Sequence, residues 1–481
     1  VNVTFAPTNP GQRIGAVQLM GASGSPLATF NLHGIGTGPQ VVFNAPLTPT
    51  ALGGFNQPWG VAVDDNGNIY VADTDSGEVK EMTPGCLSAS CVTILGGGFQ
   101  NPEGVAGDGA GNVYVADPNA STLSKIPAGC TSASCVTTLG GGFKFPYGVA
   151  VDGSGNAYVA DYGNHAVKQI PAGCTSASCV ITLGGGFPFP FGVALDASGN
   201  VYVADADSSA VLEIPAGCAS AGCVTTLGGG LSGPTGVAVD ASGNVYVADT
   251  DNNAVREVPA GCTSSDCMIT LQSGFKTPQG VALDGSGNIY VGDRHNDAVK
   301  ELVRSTPPSL TFASSNVGVA SSDSPQSVVI QNSGNAALTT VSPGLSLSTN
   351  FTQVASFPSG FLYDSSSTCS LLNAALLPGA SCTLGIDFKP VAVGLNSGAV
   401  VLTDNNLNVS GATQSIQVSG IGSQATPTIT ADCQQHRRRP GVKRFDTDRR
   451  RGFDRRHLRL DQRHNHPERR YANRQRDVYA D

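Results

Sequence analysis

The side chains that could do chemistry recur at fixed spacings. Cysteines pair as Cys86 with Cys91, Cys130 with Cys135, Cys174 with Cys179, Cys218 with Cys223, Cys262 with Cys267, and Cys369 with Cys382, leaving Cys433 alone. The first five pairs share the pattern C-x-x-x-x-C. Cysteines on neighbouring strands lie about 4.5–5.5 Å apart, a separation that fits a disulfide. Zinc would need two pairs per metal, and five pairs cannot match up evenly. The expectation is six intrachain disulfides with Cys433 free, and hence an oxidising, extracytoplasmic compartment.

Carboxylates recur as Asp64, Asp108, Asp152, Asp196, Asp240 and Asp284, and again as Asp73, Asp117, Asp161, Asp205, Asp249 and Asp293. Presence in every copy argues that they hold backbone N–H groups in their own turns. The Asp-x-x-Gly-Asn turn opens like a calcium loop but lacks acidic ligands at alternating positions and the late Glu. No cofactor is therefore expected, and calcium stands as an unsupported alternative. His165 and His295 sit at different offsets past Asp161 and Asp293, so no repeated position carries a His ligand and no metal site is expected. There is no G-x-S-x-G elbow, phosphate loop or H-E-x-x-H pair, and no catalytic residue is assigned.

These residues are positioned by a repeat. Pro-x-Gly recurs at Pro58, Pro102, Pro146, Pro190, Pro234 and Pro278, each 44 residues after the last. Each unit reads as four short strands rich in Val, Ile and Tyr, with Gly-Asn turns between the first two. A lone four-stranded sheet cannot bury both faces, whereas six arranged radially can, so the expected fold is all-β with a six-bladed β-propeller. The motif P-x-G-V-A-V-D-x-x-G-N-x-Y-V-A-D resembles the NHL repeat over residues 40–304. The sixth unit lacks its fourth strand. Thr50-Ala51-Leu52-Gly53-Gly54-Phe55 matches Thr138 to Phe143, so residues 48–55 are expected to pair with Ala298–Val303 and close the ring. Propellers resembling this one include metal-dependent lyases and lactonases with His and carboxylate ligands in the channel. That resemblance supplies the enzymatic alternative.

Residues 309–423 read as a β-sandwich and resemble immunoglobulin-like domains of the ASH or choice-of-anchor D type, found in bacterial surface and secreted proteins. Phe5, Pro7, Gly11, Gly15, Ala16, Val17 and Leu19 repeat Phe388, Pro390, Gly394, Gly398, Ala399, Val400 and Leu402, and Gly34-Ile35-Gly36 repeats Gly420-Ile421-Gly422. Residues 1–38 are thus expected to be the end of another such domain, in a chain that is part of a longer array.

Residues 432–481 carry 16 of the 27 Lys and Arg against 8 of the 36 acids. Three origins fit this tail: translation out of frame, a natural disordered basic segment, or an arm for RNA or another anionic polymer. The other 431 residues keep 11 basic and 28 acidic side chains, a balance that repels nucleic acid and anionic membranes. No apolar run reaches the roughly 18 residues of a membrane span.

Copy-to-copy divergence points to a ligand face. The turns and Cys hairpins are nearly uniform and fall at one end of the blades. At the other end the slot between Pro and Gly holds Trp59, Glu103, Tyr147, Phe191, Thr235 and Gln279, and the later variable stretch supplies His165, Arg294 and His295. Aromatics beside polar groups suit stacking on a sugar ring or burying a peptide side chain. The function expected is a non-catalytic binding or scaffold module of a secreted or cell-surface protein, with a protein, peptide or glycan ligand. The alternatives are a metal-dependent lyase or lactonase-like hydrolase, and a purely structural stalk.

Overall fold

The computed structural model describes residues 3–21, 26–45, 47–86, 88–339, 355–369 and 375–425. The basic tail and Cys433 lie outside them. The described chain is all-β, with short 3-10 turns as its only helical elements.

Six four-stranded antiparallel sheets run through residues 50–302. The first strands of successive sheets lie side by side, and that of the sixth (Pro278–Leu283) lies against that of the first (Pro58–Val63), so the sheets close into a propeller ring. Second strands such as Ile69–Asp73 and Val113–Asp117 are buried throughout, which explains the apolar run that precedes their closing Asp. Each core sits between blades rather than within one. Tyr114, Ala116 and Leu123 of the second blade, for example, pack with Phe143, Val149, Val159 and Ile170 of the third.

Pro-x-Gly recurs because the blades meet there. A β-carbon on Gly60 would stand 2.2 Å from the Glu103 carbonyl oxygen of the next blade, and one on Gly104 would stand 2.1 Å from that of Tyr147. The relation continues around the ring to Gly280 and Trp59 at 2.6 Å. Only a residue without a side chain lets the inner strands approach so closely.

The sixth blade is completed from the other end of the repeat. Thr50–Leu52 is its outer strand, with Leu52 opposite Val299, Ala51 opposite Lys300 and Thr50 opposite Glu301. Leu52 is buried in the core between the sixth and first blades.

Each Asp-x-x-Gly-Asn turn is organised by its Asp. Asp64 Oδ1 accepts from the backbone N–H of Asn66 and Asn68 at 2.9 and 2.8 Å, while Oδ2 accepts from Asn68 Nδ2 and the Tyr70 hydroxyl at 2.9 and 3.0 Å. The second series is buried and accepts backbone N–H groups of the preceding loop: Asp161 from Lys144 at 2.7 Å, and Asp249 from Ser232 at 2.7 Å. Lys168 and Arg256 pair with the same carboxylates. The six disulfides form, with Cα separations of 5.8–6.1 Å in the five repeated loops and 4.8 Å for Cys369–Cys382. In the repeats the link does not cross a strand pair directly, because its second Cys ends a short 3-10 turn such as Ala133–Cys135.

The C-terminal region holds two four-stranded sheets around one core. One comprises Leu310–Asn316, Ala412–Ser423, Gly394–Asp404 and Ala355–Ser356. The other comprises Val41–Ala45, Gln326–Asn332, Ser381–Phe388 and Phe361–Tyr363. Val41–Ala45 therefore differs from the expectation that residues 40–304 are all propeller. Val41 and Phe43 point into the sandwich core, and no Cys hairpin precedes Thr50 to make residues 41–45 a blade segment. Gly11–Met20 and Pro26–Gly36 form a separate two-stranded hairpin.

Candidate functional site

The two ends of the propeller differ in what covers them. The turn end carries the N-terminal hairpin and the sandwich. Asp65 accepts from Arg13 Nη1 at 2.9 Å and from the Ile14 backbone N–H at 2.8 Å, and Gln40 Nε2 donates to the Gly285 carbonyl at 2.8 Å. Beneath that cover the channel opens into a cavity of about 500 Å³ lined by Val61, Val149, Val193, Val237 and the turn carboxylates. Its walls are the same Val-Ala segment repeated around the ring, and Asp64, Asp240 and Asp284 are already engaged by their own turns.

A polar contact joins propeller to sandwich at this end. Arg304 is fully buried. Its Nε and Nη2 donate to Asn44 Oδ1 at 2.9 and 2.6 Å, Nη2 also donates to Gln331 Oε1 at 2.7 Å, and the guanidinium lies 4.9 Å from the Tyr246 ring centroid. Gln331 Nε2 donates in turn to the buried Glu257. Burial pushes the Glu257 carboxyl up to about 7, against the opposing charge of Arg304. The equivalent side chains Glu81, Lys125, Gln169, Glu213 and Glu301 are partly exposed, since no sandwich lies on them.

At the opposite end the six divergent slots converge. Trp59, Glu103, Tyr147, Phe191, Thr235 and Gln279 line one small cavity of about 60 Å³ together with the Pro-x-Gly glycines and the following valines. The three aromatics do not stand apart around an open mouth. Trp59 stacks on Tyr147 at 5.9 Å, and Tyr147 meets Phe191 at 4.8 Å. Tyr162 packs against both Tyr147 and Phe191 at 5.3 and 5.1 Å, and Phe189 stacks on Tyr162 at 5.2 Å. Large rings on neighbouring inner strands gain more by covering one another than by facing water.

The polar slots lie among these rings. Glu103 is buried, with Oε1 accepting from Asn101 Nδ2 and Oε2 without a partner among the described residues. Burial pushes its carboxyl up to about 8, although the Arg294 charge acts in the other direction. Gln279 is also buried, and its Oε1 has no partner among the described residues. Thr235 Oγ1 donates to the Gln279 carbonyl at 2.9 Å and lies 2.7 Å from Thr250 Oγ1. The Arg294 guanidinium sits 4.8 Å from the Trp59 ring centroid, with Nε donating to Gln57 Oε1 at 3.0 Å. A polar pocket lined partly by aromatics can receive hydroxyl or amide groups that restore the lost hydrogen bonds.

The histidines stay apart from this cluster's centre. His165 is exposed, beside Phe189 and with a ring nitrogen against the Pro188 carbonyl. His295 is exposed and meets Thr277 Oγ1 through Nδ1 at 2.7 Å. Among the described residues no three His, Cys, Asp or Glu side chains come together as metal ligands would. Sequence reasoning passed over Tyr162, Phe189 and the exposed Phe145. Comparing copies one residue before the Pro and one after the Asp would have found them, since those slots diverge as well.

The NHL repeat model matches residues 55–81, 143–170 and 231–257, so the chain carries NHL repeats in a propeller fold. No curated protein matches it. Among solved structures, a streptogramin B lyase aligns at 10% identity and a TM-score of 0.40, over 55% of this chain and 98% of that one. The virginiamycin B lyase of Staphylococcus aureus aligns at 13% and 0.39, over 54% and 99%. A gluconolactonase of Xanthomonas campestris aligns at 13% and 0.45, over 55% and 94%. At these identities and scores the likenesses carry no argument about activity.

Proposed function

We propose that this chain is a non-catalytic binding module of a secreted or cell-surface protein, taking a hydroxyl-rich glycan at the open end of the propeller. One observation carries the reading: two buried polar atoms, Glu103 Oε2 and Gln279 Oε1, have no partners among the described residues, on side chains that line a cavity formed by the most divergent slots of an otherwise uniform repeat. Leaving such groups unpaired costs about 1–3 kcal/mol each. Sugar hydroxyls, which both donate and accept, would supply the missing partners, and the flanking rings would cover the ring carbons. The six disulfides suit an oxidising compartment. The sandwich, read as an immunoglobulin-like domain of the ASH or choice-of-anchor D type, would act as a spacer.

Trp59 is the only tryptophan in the chain, so its fluorescence reports on this mouth alone. A glycan array should yield a ligand that changes that fluorescence saturably, and the double variant Glu103→Ala/Gln279→Ala should lose it. Undiminished binding by that variant would refute the site. Binding only on a peptide array would reassign the ligand. A stoichiometric metal in the purified protein together with turnover would favour the lyase or lactonase reading. No ligand at all would leave a structural stalk.

A further inference from the structure

The hairpin Gly11–Met20/Pro26–Gly36 and the hairpin Gly394–Asp404/Ala412–Ser423 are built alike. Gly11 faces Gly36 and Gly394 faces Gly422. Gly15 faces Leu32 as Gly398 faces Val418, Val17 faces Phe30 as Val400 faces Ile416, and Leu19 faces Ala28 as Leu402 faces Gln414. The local packing repeats too. A β-carbon on Gly34 would strike the Phe5 ring at 2.6 Å, and one on Gly420 the Phe388 ring at 2.4 Å. One on Gly36 would meet Asn9 O and Pro7, and one on Gly422 would meet Ala392 O and Pro390.

Burial separates the two. Phe388, Leu402, Ile416 and Val418 are 0, 6, 0 and 2% exposed in the sandwich core, while their counterparts Phe5, Leu19, Phe30 and Leu32 are 51, 57, 60 and 37% exposed. On the reverse face the two hairpins agree, with Ile35 50% and Ile421 54% exposed. The large loss of burial falls on the face that meets a second sheet. That reverse face of the N-terminal hairpin lies on the propeller turns, where His33 and Asn31 abut Gly153 and Gly155. Among the described residues the edge strand Pro26–Gly36 also lacks the parallel neighbour that Leu310–Asn316 gives Ala412–Ser423. A two-stranded hairpin with one bare apolar face is marginal by itself.

We infer that the Phe5, Leu19, Phe30 and Leu32 face is half the core of a second β-sandwich. Its covering partner is a β-sheet with an inward face of Val, Ile, Leu and Phe, supplied by a segment equivalent to residues 310–388 and joined ahead of the hairpin. Chain order supports a partner in cis, since residues 310–388 immediately precede the matching hairpin and provide every other strand of its domain except Val41–Ala45.

The test uses maleimide labelling of Leu19→Cys in a Cys433→Ser background. In the 481-residue chain Leu19→Cys should label as an open thiol, whereas Leu402→Cys should be protected. Fusing a second copy of residues 309–387 ahead of Phe5 should slow labelling of Leu19→Cys at least tenfold. Should that fusion fail to fold, the converse graft decides: residues 5–36 in place of 388–422 should give a sandwich that melts cooperatively and protects Leu19→Cys. Fast labelling in a folded fusion, or a graft that leaves the sandwich unfolded, would overturn the inference. Protection in the parent chain would do the same, marking cover by a second copy if it grows with concentration and by the chain's own residues if it does not.

Discussion

Gly104 has the Tyr147 carbonyl oxygen 2.1 Å from where a β-carbon would stand, whereas Gly53 has nothing within 4 Å. Gly104→Ala is expected to cost about 1–3 kcal/mol or more in a denaturant titration, since two inner strands must part to admit a methyl group. Gly53→Ala should stay within about 0.5 kcal/mol. Glu103 allows a second prediction. Its carboxyl is pushed from the usual 4.5 up to about 8 in the folded chain, so the folded state holds its proton where the unfolded state has released it. Stability from this group is fully present below the unfolded value and declines as pH rises from about 4.5 to about 8. Glu103→Gln removes that decline. Its melting temperature relative to the parent should therefore climb from pH 5 to pH 8, and a pH-independent difference would show that the carboxyl is ionised in the folded protein. Glu257, held up to about 7 by burial, contributes a decline of the same sign and stays in both proteins, so the comparison isolates Glu103.

The outer strand of the sixth blade comes from Thr50–Leu52, and its single buried anchor is Leu52. Leu52→Ala should cost about 2–5 kcal/mol by the loss of buried surface and the cavity left behind. Deleting residues 1–57 should lower thermal stability more, because it also removes Val41–Ala45 from the sandwich. Melting like the intact chain would mean that the ring closes without this strand. The disulfide hairpins are local by comparison. Closing a six-residue loop contributes about 2 kcal/mol in the chain-entropy treatment. Cys130→Ser/Cys135→Ser should thus lower stability by no more than that while leaving the ring folded. Thiol titration of the denatured, unreduced parent should find one thiol, that of Cys433; most thiols free would overturn the oxidising compartment.

Propeller and sandwich are joined through Arg304, which reaches Asn44 and Gln331 of the sandwich from a position beside Tyr246. Removing one member of a buried ionic network leaves the other uncompensated, at about 3–5 kcal/mol. Arg304→Ala is expected to destabilise the chain by that order and to split one calorimetric transition into two, as the domains uncouple. A single transition at the parent temperature would show that the contact is not what holds them together. The cover on the turn end follows from the same junction, since among the described residues the sandwich and hairpin contact that side of the ring.

Repetition made the blades, their strand order, the five repeated Cys pairs and the closing strand legible in the sequence, because a 44-residue period records the same local physics many times. Turn Asp, strand Val and Pro-x-Gly are each needed by every blade, so the pattern reveals them without any knowledge of how blades meet. Copy comparison likewise located the slots Trp59, Glu103, Tyr147, Phe191, Thr235 and Gln279. It did not reveal that the rings would close on one another, nor that Glu103 and Gln279 would each be buried with a polar atom unpaired among the described residues. Arg304 gave no signal at all, being a lone Arg in a linker, and Val41–Ala45 was counted with its neighbours in sequence rather than its partners in space. Those features depend on which surfaces are brought together across blades and domains. Contacts between residues distant in the chain have no period to betray them, so only the tertiary structure decides them.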